Sequence, residues 1–333
     1  MAQRRIYLGL GVLASSILGL LVLAPKSSDQ FRPFDRNKSG VRAELDLPYA
    51  GTDNPRQRLD LYLPNSPKTN RPLPVVAHIH GGGWEMGDKR DDLGTVSPLA
   101  ESGEYAVACI GYRLTDEAIW PAQIHDCKAA IRWLRSNASR YNLDPDRIGV
   151  TGESAGGHLA AMLGTSGAVA ALEGSLGKHV GVSSRVLCVV DQFGPADFLM
   201  GSDLFDLLGI SPFDDPNSPV FQLLGGPLSK NKDKAREASP MIYVSKDDPP
   251  FMLIHGTNDL VVPFLQSVTF TEALKTVGVE AVLVPVEGGG HGDFGTPEVS
   301  RRRRQFFDKH LRGKKEAISS TPIKANPSRR AEQ

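Results

Sequence analysis

The chain has 333 residues, 40% hydrophobic and 23% charged, a balance that excludes a fully disordered chain and a multi-span membrane protein. Lys+Arg and Asp+Glu each number 38, so no net field draws in a polyanion and nucleic-acid binding is not expected. The three cysteines, Cys109, Cys127 and Cys188, form no C-x-x-C pair and lie in apolar segments, so neither a disulfide nor a zinc site is expected.

At the N-terminus, Arg4 and Arg5 precede an uncharged apolar stretch, residues 6–24, which reads as an export signal. As one helix it would rise about 28 Å, close to the hydrocarbon thickness of a bilayer. The segment is therefore expected either to anchor the chain in the membrane or to be cleaved, with the rest facing away from the cytoplasm. Residues 25–39 read as a polar spacer, and residues 313–333, rich in Lys, Ser, Pro and Arg, as a disordered tail.

Between these ends, residues 40–312 alternate short apolar runs with helical patterns, which predicts one largely parallel sheet with helices on both faces. Eight strands are predicted, at 42–47, 58–63, 75–80, 106–112, 147–151, 186–191, 250–255 and 280–286. The first two have no helix between them and should form an antiparallel edge. Between Pro121 and Tyr141, the spacing of Ile124, Cys127, Ile131 and Leu134 predicts an amphipathic helix with Pro121 in its first turn. After the sixth strand, residues 195–249 break the rhythm with Gly and Pro among short helical pieces such as 203–208. An irregular stretch of that length reads as a cap over a pocket. The run Arg301 to Arg304 falls in a predicted helix at 297–311 and reads as a solvated basic face, with contact to anionic lipid as the alternative.

Chemistry concentrates in four places. Gly152-Glu153-Ser154-Ala155-Gly156 is a G-x-S-x-G motif set between a predicted strand and a predicted helix. Its glycines let backbone pass close to backbone, which pushes the serine oxygen outward. His80-Gly81-Gly82-Gly83-Trp84 follows the third strand, and its bare backbone can bring amide donors to a tetrahedral oxyanion. Since serine alone is a poor nucleophile, a histidine base and an orienting acid are required. His291, in Gly288-Gly289-Gly290-His291-Gly292 beyond the last strand, is the expected base. For the acid, Asp259 in His255-Gly256-Thr257-Asn258-Asp259 leads, with Asp191 and Asp197 as rivals. Loops at the carboxyl ends of adjacent parallel strands converge, so these distant residues can meet. Trp84 and Glu153 are expected against the substrate.

These blocks, with Tyr112-Arg113-Leu114, occur in an order that resembles α/β-hydrolases of the hormone-sensitive-lipase-like carboxylesterase group, and within it the feruloyl and acetyl-xylan esterase-like branch. The resemblance runs from about residue 42 to 312. It implies an α/β-hydrolase fold, Ser154 as nucleophile, His291 as base, Asp259 as orienting acid, and the amides of Gly82, Gly83 and Ala155 as an oxyanion hole. Glu153 departs from the Asp common in relatives. The expected activity is hydrolysis of short-chain or carbohydrate-linked carboxylic esters, with no metal or organic cofactor. An amidase of the kynurenine formamidase type is the alternative enzyme, and a membrane-tethered binding module on a dead hydrolase scaffold the alternative from another class.

Overall fold

The computed structural model describes residues 40–200, 209, 211–292 and 294–326. The expected export segment and the cap piece at 203–208 lie outside these residues. Among the described residues no helix is long and apolar enough to cross a membrane.

The sheet has nine strands, in the order β1-β2-β4-β3-β5-β6-β7-β8-β9. They are β1 (Val41–Pro48), β2 (Arg58–Pro64), β3 (Leu73–Ile79), β4 (Ala106–Ile110), β5 (Leu143–Glu153), β6 (Cys188–Gln192), β7 (Phe251–Gly256), β8 (Ala281–Glu287) and β9 (Ile323–Lys324). β1 and β2 form the expected antiparallel edge, β2 also pairs antiparallel with β4, and every pairing from β4 to β9 is parallel. Strands β3, β4, β6 and β7 are buried at every position, as their apolar runs require when helices cover both faces.

The long helices are α1 (Leu93–Glu101), α2 (Ala122–Ser136), α3 (Ala155–Thr165), α4 (Leu265–Thr276) and α5 (Pro297–Arg312). One apolar core joins the sheet to α2, α3 and α4, and a second joins its other face to α1 and α5. Helix α2 buries Ile124, Cys127, Ile131 and Leu134, the residues whose spacing announced it. All three cysteines are free and fully buried, Cys109 in β4, Cys127 in α2 and Cys188 in β6.

Three sequence expectations are corrected. The sheet has nine strands because the stretch from Gly313 to Asn326 is not a disordered tail: Ile323 and Lys324 pair with Val286 and Glu287 along the open edge of β8. Ile323 is buried there, and Arg302 donates to the carbonyls of Ser319 and Thr321. Nor is the arginine run one solvated face. A helix turns about 100° per residue, so Arg301 stays exposed on Glu298, while Arg302 and Arg303 are buried and Arg304 pairs with Glu104.

After β6 the chain follows the expected irregular course through short pieces, Pro219–Leu224, Leu228–Lys230, Lys232–Glu237 and Pro240–Tyr243. Leu223 accepts a hydrogen bond from the Trp120 amide, and Met241 donates to Ala196, which binds this segment to the body of the fold.

Candidate active site

Four loops at the carboxyl ends of β3, β5, β7 and β8 build the site. At the end of β5, Ser154 sits at φ 54 and ψ −119, a conformation a side chain rarely adopts and which costs on the order of 1–3 kcal/mol. The neighbouring glycines make this turn possible. A Cβ on Gly152 would overlap the carbonyl of Gly156, and one on Gly156 would overlap that of Ile79. The turn is fixed by the Ser154 amide, which donates to Gln192 at 2.9 Å, and by the His158 amide, which donates to the Ser154 carbonyl at 2.9 Å.

Ser154 Oγ lies 2.8 Å from His291 Nε2, and His291 Nδ1 lies 2.7 Å from Asp259 Oδ2. With the imidazole proton on Nδ1, the ring donates to the carboxylate and leaves Nε2 free to accept from the serine hydroxyl. His291 is 22% exposed, open enough to meet a substrate, while the Asp259 side chain is fully buried. Phe193 packs edge-on against the His291 ring, with centroids 4.8 Å apart.

The acid is more heavily held than its motif suggested. Asp259 Oδ1 accepts from the amides of Val261 and Val262 at 2.8 and 2.9 Å, and Oδ2 also lies 3.2 Å from His255 Nε2. Burial alone would raise the Asp259 carboxyl, but hydrogen bonds from His255 and His291 hold it well below the ordinary carboxylate range. His255 is itself fixed by Ser267 Oγ at 2.7 Å and the Val262 carbonyl at 2.9 Å. This role of His255 is not evident from its motif, where its only signal is the four-residue spacing to Asp259. Of the rival acids, Asp191 caps the loop amide of Gly194, and Asp197 accepts from Leu199.

Across from the nucleophile turn runs the glycine loop, with Gly82 at φ 111, Gly83 at φ 60 and Trp84 at φ 60. It abuts the elbow, since a Cβ on Gly81 would come within 2.8 Å of the Glu153 carbonyl. His80 and Tyr112 stack at 4.3 Å, and Tyr112 donates its hydroxyl proton to the His80 carbonyl at 3.0 Å. Ala155 opens α3, and its amide is one of the first-turn donors that a helix leaves without an internal acceptor.

The sequence model of the BD-FAE family matches residues 59–274, which carry the glycine loop, Ser154 and Asp259. The chain belongs to the BD-FAE family. The probable carboxylic ester hydrolase LipM of Mycobacterium tuberculosis is 32% identical over 63% of the chain and 47% of its own length. The truncated form of a carbohydrate esterase from gut microbiota superposes with a TM-score of 0.74 at 34% identity, covering 81% of this chain and 96% of its own. Esterase B from Lactobacillus rhamnosis, inhibited by a tributyrin phosphonate, superposes with a TM-score of 0.67 at 25% identity over 93% of this chain and 95% of its own. The chain spans about half the length of the curated relatives it matches.

Within this family member, the two residues expected against substrate are placed elsewhere. Glu153 points back under the elbow: Oε2 meets His78 Nε2 at 2.8 Å and Oε1 accepts from Gln192 Nε2 at 2.7 Å. Burial would raise its carboxyl, but the His78 charge, and after it that of Arg303, hold it below the ordinary value. Burial would likewise lower His78, yet the Glu153 charge overrides it and pushes the ring up to about 10. His78, Asp92 and Glu153 bring potential metal-ligand atoms within 4.8 Å of one another. The His78–Glu153 bond and the nearby Arg303 charge already satisfy the carboxylate, so the group reads as an ion-pair cluster. Trp84 is 4% exposed, packed against His158 and Phe198, with its one polar atom bonded to His158. Its ring braces the interior and offers substrate no open face.

Proposed function

We propose that this BD-FAE family member is a serine carboxylesterase that hydrolyses short-chain or carbohydrate-linked esters through an acyl-enzyme on Ser154. The observation that carries this reading is the unbroken hydrogen-bond chain from Ser154 Oγ through both nitrogens of His291 to Asp259. In the first half-reaction, Ser154 Oγ attacks the ester carbonyl carbon as its proton passes to His291 Nε2. Asp259 steadies the imidazolium, and the amides of Gly82, Gly83 and Ala155 receive the negative oxygen; one such donor is worth on the order of 10² to 10³ in rate. Collapse of the intermediate breaks the bond to the alcohol oxygen, which leaves with the Nε2 proton. Water then attacks the acyl-enzyme by the same steps and releases the acid.

A carbohydrate-linked substrate is supported by the likeness to a gut carbohydrate esterase, and a short acyl chain by the likeness to an esterase trapped with a tributyrin phosphonate. Placement outside the cytoplasm, through a cleaved or retained N-terminal segment, is supported by Arg4 and Arg5 ahead of the uncharged stretch at 6–24.

Hydrolysis of p-nitrophenyl esters from acetate to palmitate, beside acetylated xylan and a formanilide, tests the proposal. Expected are a maximum at two to four acyl carbons, release of acetate from the polysaccharide, and loss of at least about 10³-fold in Ser154→Ala. Turnover of the formanilide without any ester would move the assignment to an amidase. Ester hydrolysis surviving in Ser154→Ala would remove Ser154 from the mechanism.

A further inference from the structure

Trp84 follows the glycine loop directly and holds φ 60, a left-handed conformation that a bulky residue adopts only under constraint. Its indole Nε1–H donates to His158 Nδ1 at 3.2 Å, and His158 Nε2–H donates to the Ala238 carbonyl at 2.7 Å. Those two partners set the tautomer, because Nδ1 must accept and Nε2 must donate. His158 is wholly buried in the first turn of α3, four residues past Ser154. Three uncharged rings from other elements pack on it, Trp84, Trp120 and Phe198, with centroids 5.2, 5.7 and 5.2 Å away. Burial holds the ring at about 4, so it stays neutral and keeps its acceptor over the working range of an esterase.

We propose that His158 is a positioning residue for the oxyanion loop: through Trp84 it ties Gly82 and Gly83 to the nucleophile's own helix, and through Ala238 it ties both to the segment after β6. An amide donor acts only when aimed at the place where charge develops, and Gly82 and Gly83 themselves have the backbone freedom to turn away. The latch removes that freedom. Because α3 also begins at the Ser154 turn, nucleophile and donors then share one rigid frame. A ground-state carbonyl gains less from this than the tetrahedral oxyanion, so the latch should appear in kcat more than in KM.

The inference rests on the esterase reading, and the experiment separates the two. Kinetics on p-nitrophenyl butyrate would be measured for the wild type, Trp84→Phe, His158→Gln, His158→Asn and the Trp84→Phe/His158→Gln pair, with active sites titrated by an organophosphonate. Trp84→Phe keeps a ring and removes the N–H, and His158→Gln keeps a donor for Ala238 but has no acceptor near Nδ1. Each is expected to lower kcat per active site by about 10-fold or more, with KM changed less than about threefold. The pair should be no worse than either single change, since both cut one link. His158→Asn, whose Oδ1 lies near the Nδ1 position, should retain several-fold more kcat than His158→Gln. Unchanged kcat per active site in Trp84→Phe, or losses that multiply in the pair, would overturn the latch while leaving the esterase standing. An inactive wild type would instead overturn the esterase reading.

Discussion

Asp259 is the residue on which the site's electrostatics converge, with two backbone amides on one oxygen and two imidazoles on the other. Asp259→Asn keeps the shape but presents an amide that either donates toward His291 Nδ1 or forfeits a backbone bond. Loss of about 10³ to 10⁴ in kcat, with the melting temperature altered much less, is expected from ester kinetics beside a thermal melt. Backbone packing at the elbow makes an opposite prediction. Gly156→Ala drives a methyl into the Ile79 carbonyl and should destabilise by about 1–3 kcal/mol in denaturant titration, whereas Gly181→Ala meets nothing within 4 Å and should be near neutral.

Residue motifs were legible in the sequence where backbone chemistry dictates them. The elbow glycines, the glycine loop and the loops bearing Asp259 and His291 are short-range patterns at strand ends, and the structure brings all of them together. Side-chain direction was not legible. Glu153 and Trp84 adjoin the chemistry in sequence but turn into the interior, because His78 and His158, which receive them, sit 75 and 74 positions away in the chain.

At the level of elements, the inner strands β3, β4, β6 and β7 were readable because each is an apolar run whose burial on two faces leaves a continuous signature. Strand β9 has two residues and no periodicity; its pairing is decided by the open edge of β8, which no local pattern encodes. The same holds for the arginines of α5, sorted by their angle around the helix axis. Edge pairing of this kind covers unpaired backbone groups that would otherwise invite association. Ile323→Ala should therefore cost about 2 kcal/mol or more in chemical denaturation. Ending the chain at Gly313 should lower the melting temperature further and raise light scattering on heating. A truncated chain with an unchanged melt and no scattering would show that β9 adds nothing.

The molecule as a whole carries a pH dependence set beneath its elbow. The folded state raises His78 from 6.5 to about 10, so the stability this ring contributes is complete below pH 6.5 and is lost as pH climbs towards 10. Glu153 is held below its ordinary 4.5, so its contribution is present above that value and disappears as acid protonates it. Burial raises Asp191 to about 6, which works against the folded state as pH rises from 3.8 to 6 and adds no slope above that. Melting temperature should thus decline between pH 6.5 and 10, and the decline should flatten in His78→Gln/Glu153→Gln, which removes both charges. An equally steep alkaline decline in that double variant would mean that other groups set it.

The three sealed thiols give this molecule an internal clock. A maleimide or disulfide reagent attacks the thiolate, and burial both excludes the reagent and pushes all three thiols up, so native protein should be silent to either. Modification then proceeds only through openings of the chain. Cys127 times the release of α2 from the sheet, while Cys109 and Cys188, in two different sheet strands, time the parting of the sheet itself. Peptide-resolved alkylation in native buffer would read the three rates separately, and the order in which the cysteines take up label would be the order in which the fold comes apart.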